Sequence, residues 1–142
     1  MNKYQKILVA IDFSELTDAV MQSALSLAKH NSATIAVLNV VDYAWPTDTD
    51  LIMPSVDEAE ERIVAVAQKR LEALLKTSGE PSLERIVVAG QPKQEILRIA
   101  EQEKADLIVM GAHGHHGLSG LLGSTTDRVA HRASCDVLIV HR

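Results

Sequence analysis

The sequence predicts an α/β domain: a single doubly wound sheet with helices on both faces. Two observations predict it. Five short runs rich in Val, Ile and Leu recur along the chain, most of them continuously apolar rather than alternating. Strands of that kind are covered on both faces, as in a parallel sheet. Between them lie four segments whose apolar residues recur at helical spacing, so the order reads β-α-β-α-β-α-β-α-β. Right-handed crossovers then place helices on both sides of the sheet. The chain has 142 residues, 46% of them apolar, which is material for one core and one domain spanning residues 1–142.

The first strand is read at Ile7–Ile11. A helix follows, with Leu16, Ala19, Val20, Ala24 and Leu27 on one face and Ser14 as its N-cap. The second strand is Thr34–Val41. The long connection after it, Asp42 to Pro54, carries Trp45-Pro46 and the run Thr-Asp-Thr-Asp. It reads as a lid over a ligand site, or as a mobile or dimer-facing loop. Ser55-Val-Asp-Glu58 has the spacing of a capping box, and Ile63, Ala67, Leu71 and Leu74 mark the long amphipathic helix it opens. The third strand is Arg85–Ala89. Pro92 suits the first turn of the next helix, and Ile96, Ile99 and Ala100 continue its apolar face. The fourth strand, Leu107–Met110, leads into a glycine-rich loop. Ser124 to Asp127 repeats a capping arrangement with Val129 as anchor, and Asp136–Val140 is the fifth strand.

The glycine-rich loop is the most informative segment. It runs Gly111-Ala-His-Gly114-His-His-Gly117-Leu-Ser-Gly120-Leu-Leu-Gly123-Ser124-Thr125, with five glycines before the serine. Glycine lets a ligand approach the backbone closely, and a helix N-terminus offers unpaired N–H groups and the positive end of a dipole. Together they make an anion site; a crossover loop ending in a capped helix accounts for the same residues. In doubly wound sheets ligands bind outside the carboxyl ends of the strands, where the strand order reverses. Three loops would meet there: Asp12 to Ser14, Val40 to Asp42, and the glycine loop. Asp12 can accept hydrogen bonds from a ribose hydroxyl or an adenine amine, or it can simply form the turn at a strand end. Val40 offers backbone groups that can read an adenine edge, while its side chain suits a core.

Composition narrows the classes of partner. The net charge is −5, and with no Lys/Arg run there is no basic footprint for a phosphate backbone. One Trp, two Tyr and one Phe leave little for base stacking, so no nucleic-acid partner is expected. No apolar stretch approaches the ~20 residues that span a bilayer, and the N-terminal residues lack a signal-peptide pattern. A cytoplasmic protein without membrane attachment is expected. The single cysteine, Cys135, can form neither an internal disulfide nor a zinc cluster and reads as a small, partly buried side chain. His113, His115 and His116 need not converge on a metal; they read as loop residues lending partial positive charge near an anion, and no metal site is expected. A Gly-Lys-Ser/Thr phosphate loop and a Gly-x-Ser-x-Gly elbow are both missing. The third strand ends at Ala89-Gly90 rather than at an acidic phosphate acceptor. No catalytic residue is identified.

These residues, taken together, resemble the universal stress protein family. The resemblance covers essentially the whole chain and rests on Lys6-Ile-Leu-Val-Ala-Ile-Asp12-Phe-Ser14, Val37-Leu-Asn-Val-Val-Asp42, Gly90-Gln-Pro92, Ala105-Asp-Leu-Ile-Val-Met-Gly111, the glycine loop and Cys135-Asp-Val-Leu-Ile-Val140. It implies a five-stranded parallel sheet of order 3-2-1-4-5 and homodimers paired through the last strand, here Val137–Val140. The nucleotide-binding members hold ATP or AMP through Gly-x2-Gly-x9-Gly-Ser/Thr; a triphosphate here would also depend on a metal ion such as Mg2+. Gly111, Gly114, Gly123 and Ser124 match that motif, with Thr125 following, and Asp12 and Val40 match positions that contact adenosine. Eight residues, not nine, separate Gly114 from Gly123, and Ala112 to Asp127 contains no Lys or Arg. Nucleotide binding with little or no hydrolysis, at most that of a slow ATPase, is therefore the expected function. The alternative is a homodimeric regulator that binds no nucleotide and acts through a protein partner.

Overall fold

The structure, a computed structural model, describes residues 3–42, 56–114 and 121–141. Its elements follow the expected order: β1 (Lys6–Ile11), α1 (Thr17–Asn31), β2 (Thr34–Val41), α2 (Val56–Thr77), β3 (Glu84–Ala89), α3 (Pro92–Gln102), β4 (Leu107–Gly111), α4 (Ser124–Arg132) and β5 (Asp136–Val140). The strands form one parallel sheet of order β3-β2-β1-β4-β5. Register is set in the middle, where Ile7 pairs with both Ile35 and Leu107, and Val9 with both Val37 and Val109.

β1 explains why its sequence does not alternate. Ile7, Val9 and Ile11 pack on one side with Val20, Met21 and Ala24 of α1 and Leu71 and Leu75 of α2. Leu8 and Ala10 pack on the other with Ile96, Ile99 and Ala100 of α3 and Val129 of α4. With both faces covered, polar side chains have no place along the strand. Within α2, Ala67, Leu71 and Leu75 are buried, and Leu74 is only half-buried at the margin of that layer.

The amino ends of the strands are closed by side chains. Asp106 accepts the backbone N–H groups of Gln5 and Lys6 at 2.9 and 3.1 Å. Asn31 accepts those of Lys3 and Tyr4 through one oxygen at 2.9 and 3.2 Å. Lys6 pairs with Glu84 at 2.8 Å.

Helix starts differ from the sequence reading in two places. Ser14 does not cap α1: the helix begins at Thr17 with Leu16 as N-cap and no side-chain cap bond. The Ser14 N–H instead donates to Asp12 Oδ1 at 2.9 Å, so the serine is engaged in the turn that precedes the helix. Ser124 does not cap α4 either; it is the first helical residue, behind Gly123 as N-cap. Pro92 occupies the first turn of α3 as expected, after Gln91. The capping box from Ser55, most of the Asp42–Pro54 connection, and His115, His116, Gly117 and Gly120 lie outside the described residues. Among the described residues no helix is long and apolar enough to cross a membrane.

Candidate functional site

A crevice of 590 Å³ opens over the carboxyl ends of β1, β2 and β4, where the chain reverses its direction of winding and such sheets take their ligands. Asp12, Val40, Gly111, Gly114, Gly123, Ser124 and Thr125, brought forward from the sequence, all line it. Ile11, Leu16, Val20, Ile96 and Met110 supply apolar walls.

Each loop is held by bonds traceable to particular residues. After β1 the chain turns through Asp12-Phe13-Ser14, with Phe13 in the left-handed region at φ 60°. A bulky residue seldom adopts that conformation. Here the Asp12–Ser14 bond closes the turn, and the Arg70 guanidinium lies over the Phe13 ring at 4.3 Å. Asp12 is thereby left exposed at the mouth. On the other side, Thr126 Oγ1 donates to the Gly111 carbonyl at 2.7 Å. The Gly123 N–H donates to the Ala112 carbonyl at 2.8 Å, and the Ala112 N–H to Val140 at 2.8 Å. These bonds fix the first turn of α4 against the end of β4.

Three helices begin at this crevice, and none has a side-chain cap: α1 behind Leu16, α3 behind Gln91 and α4 behind Gly123. Uncapped first turns leave N–H groups to be met by solvent or ligand, and their dipoles favour negative charge. Side chains add charge of the opposite sign. Asp12 and Asp42 line the crevice, and its described lining contains no Lys or Arg. His113 Nδ1 lies 3.2 Å from the Gly114 carbonyl.

Two glycines have steric reasons that the sequence did not show. A Cβ at Gly111 would stand 3.1 Å from Leu16 Cδ1, where β4 passes α1. A Cβ at Gly114 would stand 2.6 Å from Asp12 Oδ2. The sequence reads Gly114 as room for a ligand; the atom lying against it is the carboxylate of Asp12, another of the expected site residues.

Sequence reasoning missed Asn39 and Thr17. Asn39 is buried, lines the crevice, and donates from Nδ2 to the Ile11 carbonyl at 2.9 Å, tying the end of β2 to that of β1. A lone asparagine inside Thr34–Val41 was the available clue, because buried polar groups are there to make bonds. Among the described residues no group of three His, Cys, Asp or Glu could hold a metal ion. Cys135 is partly buried, and burial, with the Asp136 and Asp106 carboxylates, pushes its thiol pKa up. That favours the unreactive neutral form.

The fold and crevice define a doubly wound α/β domain with a ligand-sized site at its topological switch point. The model of the universal stress protein family matches residues 3–141, and the chain belongs to that family. It is 37% identical over 138 residues to Universal stress protein A homolog 1 of Coxiella burnetii, covering 96% of each chain. The solved structure of MJ0577, a universal stress protein of Methanocaldococcus jannaschii, superposes with a TM-score of 0.78 at 29% identity, over 98% of this chain and 96% of that one. A universal stress protein solved in complex with cAMP gives a TM-score of 0.62 at 29% identity, over 97% of both chains.

Proposed function

We propose that this chain is a cytoplasmic stress-response protein that binds an adenine nucleotide, AMP or ATP, with little or no hydrolysis. One observation carries the reading. The uncapped start of α4, Gly123-Ser124-Thr125, faces a crevice also lined by Asp12 and Val40. A phosphate placed on Ser124 and Thr125 leaves the adenosine among the apolar walls, with the Asp12 carboxylate and the Val40 backbone for its polar groups. Gly111, Gly114 and Gly123 keep the loop close enough for the backbone to reach the phosphate. The cAMP complex of a relative supports an adenine monophosphate as a ligand of this fold.

Charge decides between nucleotides. One phosphate group suits helix-end N–H groups and hydroxyls. The longer phosphate chain of ATP meets two aspartates and no Lys or Arg in the described lining, so its outer phosphates call for Mg2+. Magnesium takes oxygen ligands, which the phosphates themselves, water and the Ser124 hydroxyl can offer. Titration calorimetry should therefore show AMP binding that is nearly indifferent to EDTA. ATP binding should weaken by about tenfold or more when Mg2+ is removed. A folded protein giving no heat with AMP or with Mg-ATP ends the reading and moves the function to its surface.

Assembly as a homodimer through β5 belongs to the same reading. β5 pairs with β4 on one side only, and Val137, Leu138 and Ile139 are half-buried. An apolar edge strand left open invites pairing with another chain, and a symmetric dimer closes it. Ile139→Lys should yield monomer on sedimentation; a variant that stays dimeric places the interface elsewhere.

A further inference from the structure

Polar side chains buried among the described residues are Ser14, Thr17, Asn39 and Thr126, and all four line the crevice. Asn39 and Thr126 are accounted for, since each donates to a carbonyl at the end of a strand, Ile11 or Gly111. Thr17 is different. It is only 7% exposed, and its Oγ1 is the buried side-chain N or O atom among the described residues that has no hydrogen-bond partner. An unmet buried hydroxyl is unusual and asks for an explanation. Valine has nearly the same shape without the polar atom, so packing alone does not call for threonine here. The residue stands in the first turn of α1, next to the uncapped Leu16, with Ile11, Leu16 and Val20 beside it in the wall.

We propose that Thr17 is a recognition residue of the crevice, whose hydroxyl hydrogen-bonds the uncharged nucleoside part of the ligand. This rests on the adenine-nucleotide reading above. Oγ1 is closed off from solvent without ligand. The assignment requires a turn about χ1, which exchanges hydroxyl and methyl between staggered positions, to present the hydroxyl to the crevice that Thr17 lines. The phosphate is assigned to the start of α4. Thr17 instead borders apolar wall and the Asp12 turn, so its partner is a ribose hydroxyl or a ring nitrogen or amine of the base.

The experiment is calorimetry with AMP on wild type, Thr17→Val and Thr17→Ser, beside thermal unfolding of each without ligand. A recognition role predicts that Thr17→Val binds AMP about tenfold more weakly while its unfolding midpoint holds or rises. Thr17→Ser keeps its affinity. A packing role predicts the reverse, with the serine variant losing stability and the valine variant binding as wild type does. Equal affinity of wild type and Thr17→Val overturns the proposal and leaves nucleotide binding standing. If Thr17→Val does not fold, Thr17→Ala is read against Thr17→Ser, and equal affinities of those two overturn it. A wild-type protein that binds neither AMP nor Mg-ATP defeats the underlying reading, and the proposal with it.

Discussion

Gly114→Ala should weaken AMP binding by at least about tenfold, a loss of roughly 1.4 kcal/mol or more. The added methyl would lie 2.6 Å from Asp12 Oδ2, closer than real Cβ atoms come to their neighbours. Either Gly114 or the Asp12 carboxylate must shift. The carboxylate is the end of a side chain, but its Oδ1 accepts from the Ser14 N–H, so turning it aside disturbs the bond that closes the turn. On the proposed reading the substitution therefore disturbs adenosine and phosphate contacts together. A double-mutant cycle with Asp12→Ala separates the causes. If Gly114 serves to make room for the carboxylate, Gly114→Ala costs little further affinity once Asp12 is truncated. Losses that multiply would mean that the glycine meets the ligand directly.

The largest effect on stability is expected from Ile108→Ala. Ile108 is fully buried in β4, in the core layer with Leu8, Ala10, Ile99 and Val129. Truncation there removes apolar burial and leaves a void between sheet and helices, at a cost of about 2–5 kcal/mol. That is a large share of the ~5–15 kcal/mol by which such domains are stable. Urea unfolding should show a lowered midpoint with an unchanged slope. Val66→Ala is the comparison: Val66 is 68% exposed on α2, and its loss should stay within about 0.5 kcal/mol. A shift for Ile108→Ala as small as that of Val66→Ala would contradict the two-layer core.

The fold was legible because each strand of a covered parallel sheet is a short apolar run, whatever its neighbours are. β2 and β5 have the bounds read from the sequence, and β1, β3 and β4 gain one residue each. Helix starts were harder, because a serine before a helix has more than one use. Ser14 gives its N–H to Asp12, and Ser124 sits inside the helix it was expected to cap. The lining of the crevice was legible where it lies in loops, since glycines and an acidic strand end are unusual enough to notice. It was illegible where it lies in elements. Thr17 and Asn39 look like ordinary helix and strand residues, and only the convergence of α1 with the ends of β1 and β2 makes them walls of the crevice. The contact between Gly114 and Asp12 joins residues far apart in sequence, and no local pattern announces it.

Ala112 stands between the two regions to which function is assigned. Its N–H reaches the carbonyl of Val140 at the end of the outer strand, and its carbonyl receives the N–H of Gly123 at the start of α4. One residue thus bonds to both. If the crevice takes a ligand and the outer strand a second copy, as proposed, a shift of the first turn of α4 would be felt at the end of that strand through these two bonds, and the reverse. Filling the crevice and closing the edge would then share one free-energy term, so that each would alter the other's equilibrium constant by the same factor.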